Sequence, residues 1–164
     1  MKKKVLLICT VAILILFVPL YESYSYNQEA SIKAEQLEKD FIDEFYTNAK
    51  LEYTVYKKMV DSYPNIEVIK SEDIIDQINR NKMEKIIKDS ENLNGIFSIS
   101  RIDKMKKYHS MWSQAHTIYL EQLYLGDKLR PFYFSEEDKK NMVAYLSLID
   151  EVIKTYNLAP IPSN

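Results

Sequence analysis

The sequence predicts an all-α protein, in which an N-terminal membrane-spanning or signal helix precedes an antiparallel four-helix bundle with a kinked or broken second helix. Three observations predict this class. Apolar residues recur at steps of three and four along four segments, as on one face of a helix. The 164 residues include only two glycines, too few for the turns of an all-β fold or for a Gly-rich phosphate loop. An uninterrupted apolar run occupies residues 5–20.

Residues 1–25 are expected to direct the chain to a membrane. A lysine cluster precedes the apolar run at 5–20, which is typical of a signal peptide or of a signal-anchor helix. Small residues at 23–25 favour cleavage, whereas the length of the run and the tyrosines around its end favour a retained anchor. Both alternatives place the bundle domain, residues 26–164, outside the cytoplasm. It is then anchored in the cytoplasmic membrane, or periplasmic or secreted if the segment is cleaved.

The first two bundle helices are predicted from apolar spacing and from their end signals. The first spans about 27–63, because Pro64 disfavours helix in the residue before it. The second begins at Ser71, an N-cap residue followed by two acidic residues, and ends at Gly95. Its apolar pattern loses phase near Asn81, which predicts a kink or break there.

The last two bundle helices have clearer boundaries. The third spans Ser100 to Gly126, and its apolar stripe alternates steps of three and four residues without interruption. The fourth begins at Ser135, which three acidic residues follow, and ends before Pro160. Four amphipathic helices with short connections are most simply buried against one another as an antiparallel bundle.

Polar residues interrupt the apolar stripes of the first and third helices. They form a candidate buried polar site: His109, Trp112, His116, Glu38, Asn48 and Glu52. A glutamate that met a histidine in this interior would stabilise the charged form of both. The simplest interpretation is that these groups are structural and fix the register of the helices. The alternatives are a metal or haem pocket and a pH-responsive bundle.

No metal ion and no cofactor are expected. The Glu-x-x-His motif of di-iron bundles is absent, because Lys106 and Ser113 stand three residues before the two histidines. The single cysteine, Cys9, excludes a Cys-based zinc site and a Cys-x-x-Cys-His haem attachment. A metal- or haem-binding bundle that uses His109 and His116 is therefore the alternative function rather than the expected one.

A second candidate site is the loop before Ser135, which contains Arg130, Phe132, Tyr133 and Phe134. Three consecutive aromatic residues exceed what a hydrophobic staple at a helix start requires. Exposed aromatic and arginine residues are typical of anchors for a protein partner. We therefore predict a partner-binding loop, with the staple as the alternative.

The expected function is protein–protein binding rather than catalysis, because no serine, cysteine or paired carboxylates stand in a catalytic context. The protein would be an accessory subunit of an envelope complex, or an immunity or inhibitor protein. Its partners would be a protein at or near the membrane and the lipid bilayer, which residues 5–20 would contact. Nucleic acid is not expected, because the net charge is −2 and an acidic domain repels phosphate backbones.

Overall fold

The computed structural model describes residues 2–64, 80–93, 99–126 and 134–162, with side chains from residue 20 onward except at residues 80 and 122–126. Within these ranges the chain forms four helices and no strand. They are α1 (Lys2–Asp61), α2 (Arg80–Glu91), α3 (Ile99–Gly126) and α4 (Glu136–Thr155). The predicted all-helical class and helical bundle are confirmed.

Helices α1 and α3 run in the same direction. Arg101, near the start of α3, lies with its Nε atom 3.5 Å from a carboxylate oxygen of Glu38. His116, about four turns further along α3, contacts Glu52 on α1. The order of the contacts is the same on both helices, so α1 and α3 are parallel.

Helix α2 runs the opposite way. Its residue Glu84 lies beside His109 of α3, whereas Glu91, near its end, pairs with Lys106 of α3. The residue numbers rise along α2 as they fall along α3. The two helices are therefore antiparallel.

Helix α4 is antiparallel to α1. The ring of Phe134, just before α4, lies 6.2 Å from that of Tyr63, just after α1. At the other end, the hydroxyl of Tyr156 donates a 2.9 Å hydrogen bond to Glu38. Each of α1 and α3 packs on both α2 and α4. The helices thus alternate in direction, with α1 and α3 on one diagonal of the bundle.

Aromatic rings fill much of the core between the four helices. Tyr145 of α4 stands between two rings of α1, with its centroid 6.0 Å from that of Phe45 and 5.9 Å from that of Tyr56. Both contacts have the edge-to-face geometry that aromatic pairs prefer. The largest side chains with almost no exposure are Trp112, Tyr56, Tyr108, Tyr119, Tyr145, Phe41, Phe45, Met83 and Met142.

The ends of α4 follow their sequence signals. Ser135 Oγ accepts from the Asp138 backbone N–H at 3.0 Å, and Asp138 accepts from the Ser135 N–H at 2.9 Å, which completes a capping box. After the helix, Asn157 adopts a positive φ of 51°. The next N–H, of Leu158, donates to the Ile153 carbonyl at 2.9 Å, as in a Schellman motif.

Helix α1 contains both the predicted N-terminal helix and the predicted first bundle helix. It runs without a break from Lys2 to Asp61 and passes through Pro19. Proline costs a helix one backbone hydrogen bond and a local clash, and here the segments on both sides remain helical. At its other end α1 stops before Pro64, as predicted.

Some predictions fall outside the described residues. The Ser71 cap and the stretch before the expected break belong to 65–79, and the Gly95 stop belongs to 94–98. The described part of the second helix starts at Arg80, and α3 begins one residue before Ser100.

Within the described part of the chain, no helix is long and apolar enough to cross a membrane. The side chains of residues 5–19 lie outside the described ones. The assignment of residues 1–25 to a signal peptide or an anchor is therefore still a prediction.

Candidate functional site

Glu52 is the centre of a polar cluster that joins α1 to α3 across the diagonal of the bundle. Its side chain is 0% exposed. One carboxylate oxygen, Oε2, accepts a 3.0 Å hydrogen bond from the indole Nε1–H of Trp112. The other, Oε1, lies 2.5 Å from the ring nitrogen Nδ1 of His116. We call Glu52, Trp112 and His116 the polar centre.

The two rings of the polar centre are held parallel by the geometry of α3. Trp112 and His116 are four residues apart and therefore lie on one face of the helix. Their ring centroids are 5.2 Å apart and the rings are inclined by 13°. An ionised Glu52 can only accept hydrogen bonds, which assigns the shared proton to Nδ1 of His116. The carboxylate thereby accepts one N–H from each ring inside the core.

Two buried tyrosines flank the polar centre. Burial, and then the negative charge of Glu52, raises the pKa of Tyr56 well above its ordinary value. The same two causes, in the same order, raise the pKa of Tyr145, which reaches this region from α4. Both phenols therefore stay neutral in the folded protein where an exposed phenol would ionise. Sequence analysis did not connect these tyrosines with Glu52.

The polar centre continues along α1 as a ridge with a spacing of four residues. Asn48, one turn before Glu52, is 1% exposed, and neither atom of its amide has a hydrogen-bond partner among the described residues. Glu44, another turn earlier, is buried and pairs with Lys82 of α2. Sequence analysis missed Glu44. The repeated spacing of four residues from Glu44 to Asn48 to Glu52 is the signal that would have found it.

His109 does not join the polar centre, although it was predicted in the same site. Its Nε2 lies 3.9 Å from a carboxylate oxygen of Glu84 on α2, and its side chain is 19% exposed. Its ring lies 5.6 Å from the ring of Trp112. His109 is two turns before His116, about 10 Å along the axis. The intervening indole therefore separates the two histidines.

Glu38 also lies apart from the polar centre, because it is about 21 Å away along α1. It accepts a 2.9 Å hydrogen bond from the Tyr156 hydroxyl and pairs with Arg101. Burial, and then this hydrogen bond, raises the pKa of Tyr156. The same hydroxyl accepts from Lys104 at 3.0 Å. This cluster closes the end of the bundle at which α3 begins.

The predicted partner-binding loop is described only at its last residue, Phe134. This ring is 7% exposed and packs on Tyr63. The ammonium group of Lys139 lies over the Tyr63 ring, 4.7 Å from its centroid. Phe134 therefore belongs to the core and is not an exposed residue of the predicted partner-binding loop. Arg130, Phe132 and Tyr133 lie outside the described residues.

The polar centre supplies one imidazole and one carboxylate. Among the residues whose side chains the structure describes, no group of three or more His, Cys, Asp or Glu is placed to hold a metal ion. With Glu52 at 0% and His116 at 2% exposure, the pair is enclosed in the core. Its chemistry is to hold charge and hydrogen bonds between two helices.

Comparison with known protein families, with curated proteins and with solved structures finds no match to this chain.

Proposed function

We propose that this protein is a membrane-tethered helical bundle that works by holding a protein partner outside the cytoplasm. It would serve as an accessory subunit of an envelope complex or as an immunity or inhibitor protein. The observation that carries the proposal is the continuity of α1. One helix of 60 residues contains the apolar run at its start and contributes the long first helix of the bundle at its end.

The distribution of exposed apolar side chains supports a tether. Among the described residues, large hydrophobic side chains that are strongly exposed cluster on the N-terminal half of α1 and at the start of α3. They are Leu20, Tyr21, Tyr24, Tyr26, Ile32 and Ile99, and Val143 of α4 is the exception. Water disfavours such surface, so contact with a membrane or a partner at this end would stabilise it.

The enclosure of the polar centre supports binding rather than catalysis. A general acid or base must reach its substrate within hydrogen-bond distance. The carboxylate of Glu52 and the ring of His116 are instead turned toward each other in the core. A binding protein needs only a shaped surface on a stable scaffold, and the bundle would supply both.

The predicted partner-binding loop between α3 and α4 is the proposed contact with the partner. Gly126 and Phe134, which flank it, both lie at the end opposite the start of α3. We expect replacement of Phe132 and Tyr133 by serine to preserve the helical circular-dichroism signal and to weaken co-purification of the partner from membranes. Loss of buried aromatic anchors costs an interface about 2 kcal/mol or more each.

Val143→Ser is the matched control for this experiment, because it also removes an exposed apolar side chain (43% exposed) but lies on α4 away from the loop. It should leave partner recovery unchanged. Equal recovery by the loop variant and the wild-type protein would rule out the loop as the contact. The identity of the partner, a resident envelope complex or a toxin, distinguishes the two roles.

A further inference from the structure

The segment of α1 between the apolar run and the bundle is unusually rich in exposed aromatic surface. We call residues 20–29 the stalk. Tyr21 is 74% exposed, Tyr24 is 67% and Tyr26 is 65%, and the first buried residue after them is Ala30. None of these three rings packs on another part of the described chain. They are helical residues with large apolar bodies in contact with solvent.

The directions of the three rings identify the kind of surface that would cover them. A helix turns about 100° per residue, so Tyr24 points about 60° away from Tyr21, and Tyr26 about 140° away on the opposite side. The rings thus spread over more than half of the helix circumference. A single partner helix covers one stripe of its neighbour, whereas a lipid layer surrounds a helix on all sides.

We infer that Tyr21, Tyr24 and Tyr26 lie in the headgroup layer of a phospholipid bilayer and set the depth at which α1 is held. This inference rests on the proposed anchoring by residues 5–20. A phenol suits that layer, because its ring packs against lipid chains while its hydroxyl stays hydrated. The stalk residues around the rings are mostly small or uncharged and polar, among them Ser23, Ser25 and Asn27.

The geometry then fixes how close the bundle lies to the membrane. Tyr24 and Ala30 are six residues apart, which corresponds to about 9 Å along the helix. The core therefore begins one to two turns beyond the headgroup layer, with no flexible linker between them, because α1 is continuous. The bundle is presented at a fixed distance from the bilayer, and the end of α3 at Gly126 lies on the side away from the lipid.

A fluorescence experiment on the full chain tests this inference. Tyr24→Trp places an indole in the proposed layer, while Trp112, the only native tryptophan, is 1% exposed in the core and serves as an internal reference. The protein is reconstituted in phosphatidylcholine vesicles whose acyl chains carry bromine near the headgroup or near the chain end. Val143→Trp is the matched control, since it puts an indole on the exposed face of α4.

We expect bromine near the headgroup to quench most of the emission that Tyr24→Trp adds, and bromine at the chain end to quench little of it. The emission of Val143→Trp and of Trp112 should be unaffected by either lipid. Vesicle flotation separates the two ways of failing. Flotation without quenching of Tyr24→Trp overturns the placement of the tyrosines and leaves the anchor intact. Failure to float overturns the anchoring, and with it both proposals. Circular dichroism checks that each variant remains helical.

Discussion

Replacement of Glu52 with alanine is expected to lower the free energy of unfolding by about 3–5 kcal/mol, the usual cost of breaking a buried pair by removing one partner. The variant leaves the imidazole of His116 and the indole N–H of Trp112 in the core without their shared acceptor. Urea denaturation followed by circular dichroism measures the loss. Trp112 fluorescence should report the same transition, because this indole is buried in the folded core and becomes exposed on unfolding.

Glu44→Ala is the matched control on the same helix, two turns earlier. Glu44 also lies in the bundle and pairs with a lysine, but the side chain of Lys82 is 56% exposed. Ion pairs with an exposed partner contribute about 0–1 kcal/mol. Similar losses for Glu44→Ala and Glu52→Ala would contradict the central position that we assign to Glu52.

The polar centre should behave as one coupled unit. When Glu52 and His116 are both replaced by leucine, no unpaired charge remains in the core, and apolar replacements of buried pairs are often neutral or stabilising. We therefore expect this double variant to be more stable than Glu52→Leu alone. A double variant whose loss equals the sum of the two single losses would show that the residues act independently.

Alkaline pH is expected to produce the second large loss of stability. The pKa values of Tyr56 and Tyr145 are raised by burial and by the charge of Glu52. Above a pH of about 10 the unfolded chain releases these two protons, whereas the folded protein retains them. Stability conferred by the neutral phenols is complete below that pH and falls as the pH rises, by about 1.4 kcal/mol per pH unit for each phenol.

Denaturation curves measured at successive pH values above 10 test this expectation. Tyr145→Phe lacks one of the two buried phenols, so its free energy of unfolding should fall less steeply with pH, by about 1.4 kcal/mol per pH unit. The phenolate absorbance of the buried tyrosines should grow together with unfolding rather than ahead of it. Smooth ionisation in a protein that stays helical would show that solvent reaches these hydroxyls.

The sequence was sufficient to predict the helices, because each depends on local chemistry. Apolar spacing identified α3 and α4 along the whole of their lengths. Ser135 and the acidic residues after it fixed the start of α4, since a capping box involves only neighbouring residues. The length of α1 was harder to predict, because a proline at position 19 weakens a helix without always ending it.

The pairing of polar residues could not be predicted in the same way. Glu38 and Glu52 both interrupt the apolar stripe of α1, and nothing local distinguishes them. The axial register of α3 against α1 decides that Glu52 contacts Trp112 and His116, whereas Glu38 contacts Arg101. That register results from the packing of all four helices. The residue pattern of a single helix therefore does not reveal it.

Our central claim is that the surface of a membrane-tethered bundle carries the function, while the polar centre only holds the scaffold. Quantitative recovery of a cross-linked complex from membranes that contain the full chain tests this claim most directly. We predict one partner at a fixed molar ratio, recovered equally well by the folded protein in which Glu52 and His116 are both leucine. A partner lost with that folded variant, or no partner at a fixed ratio, would contradict the claim.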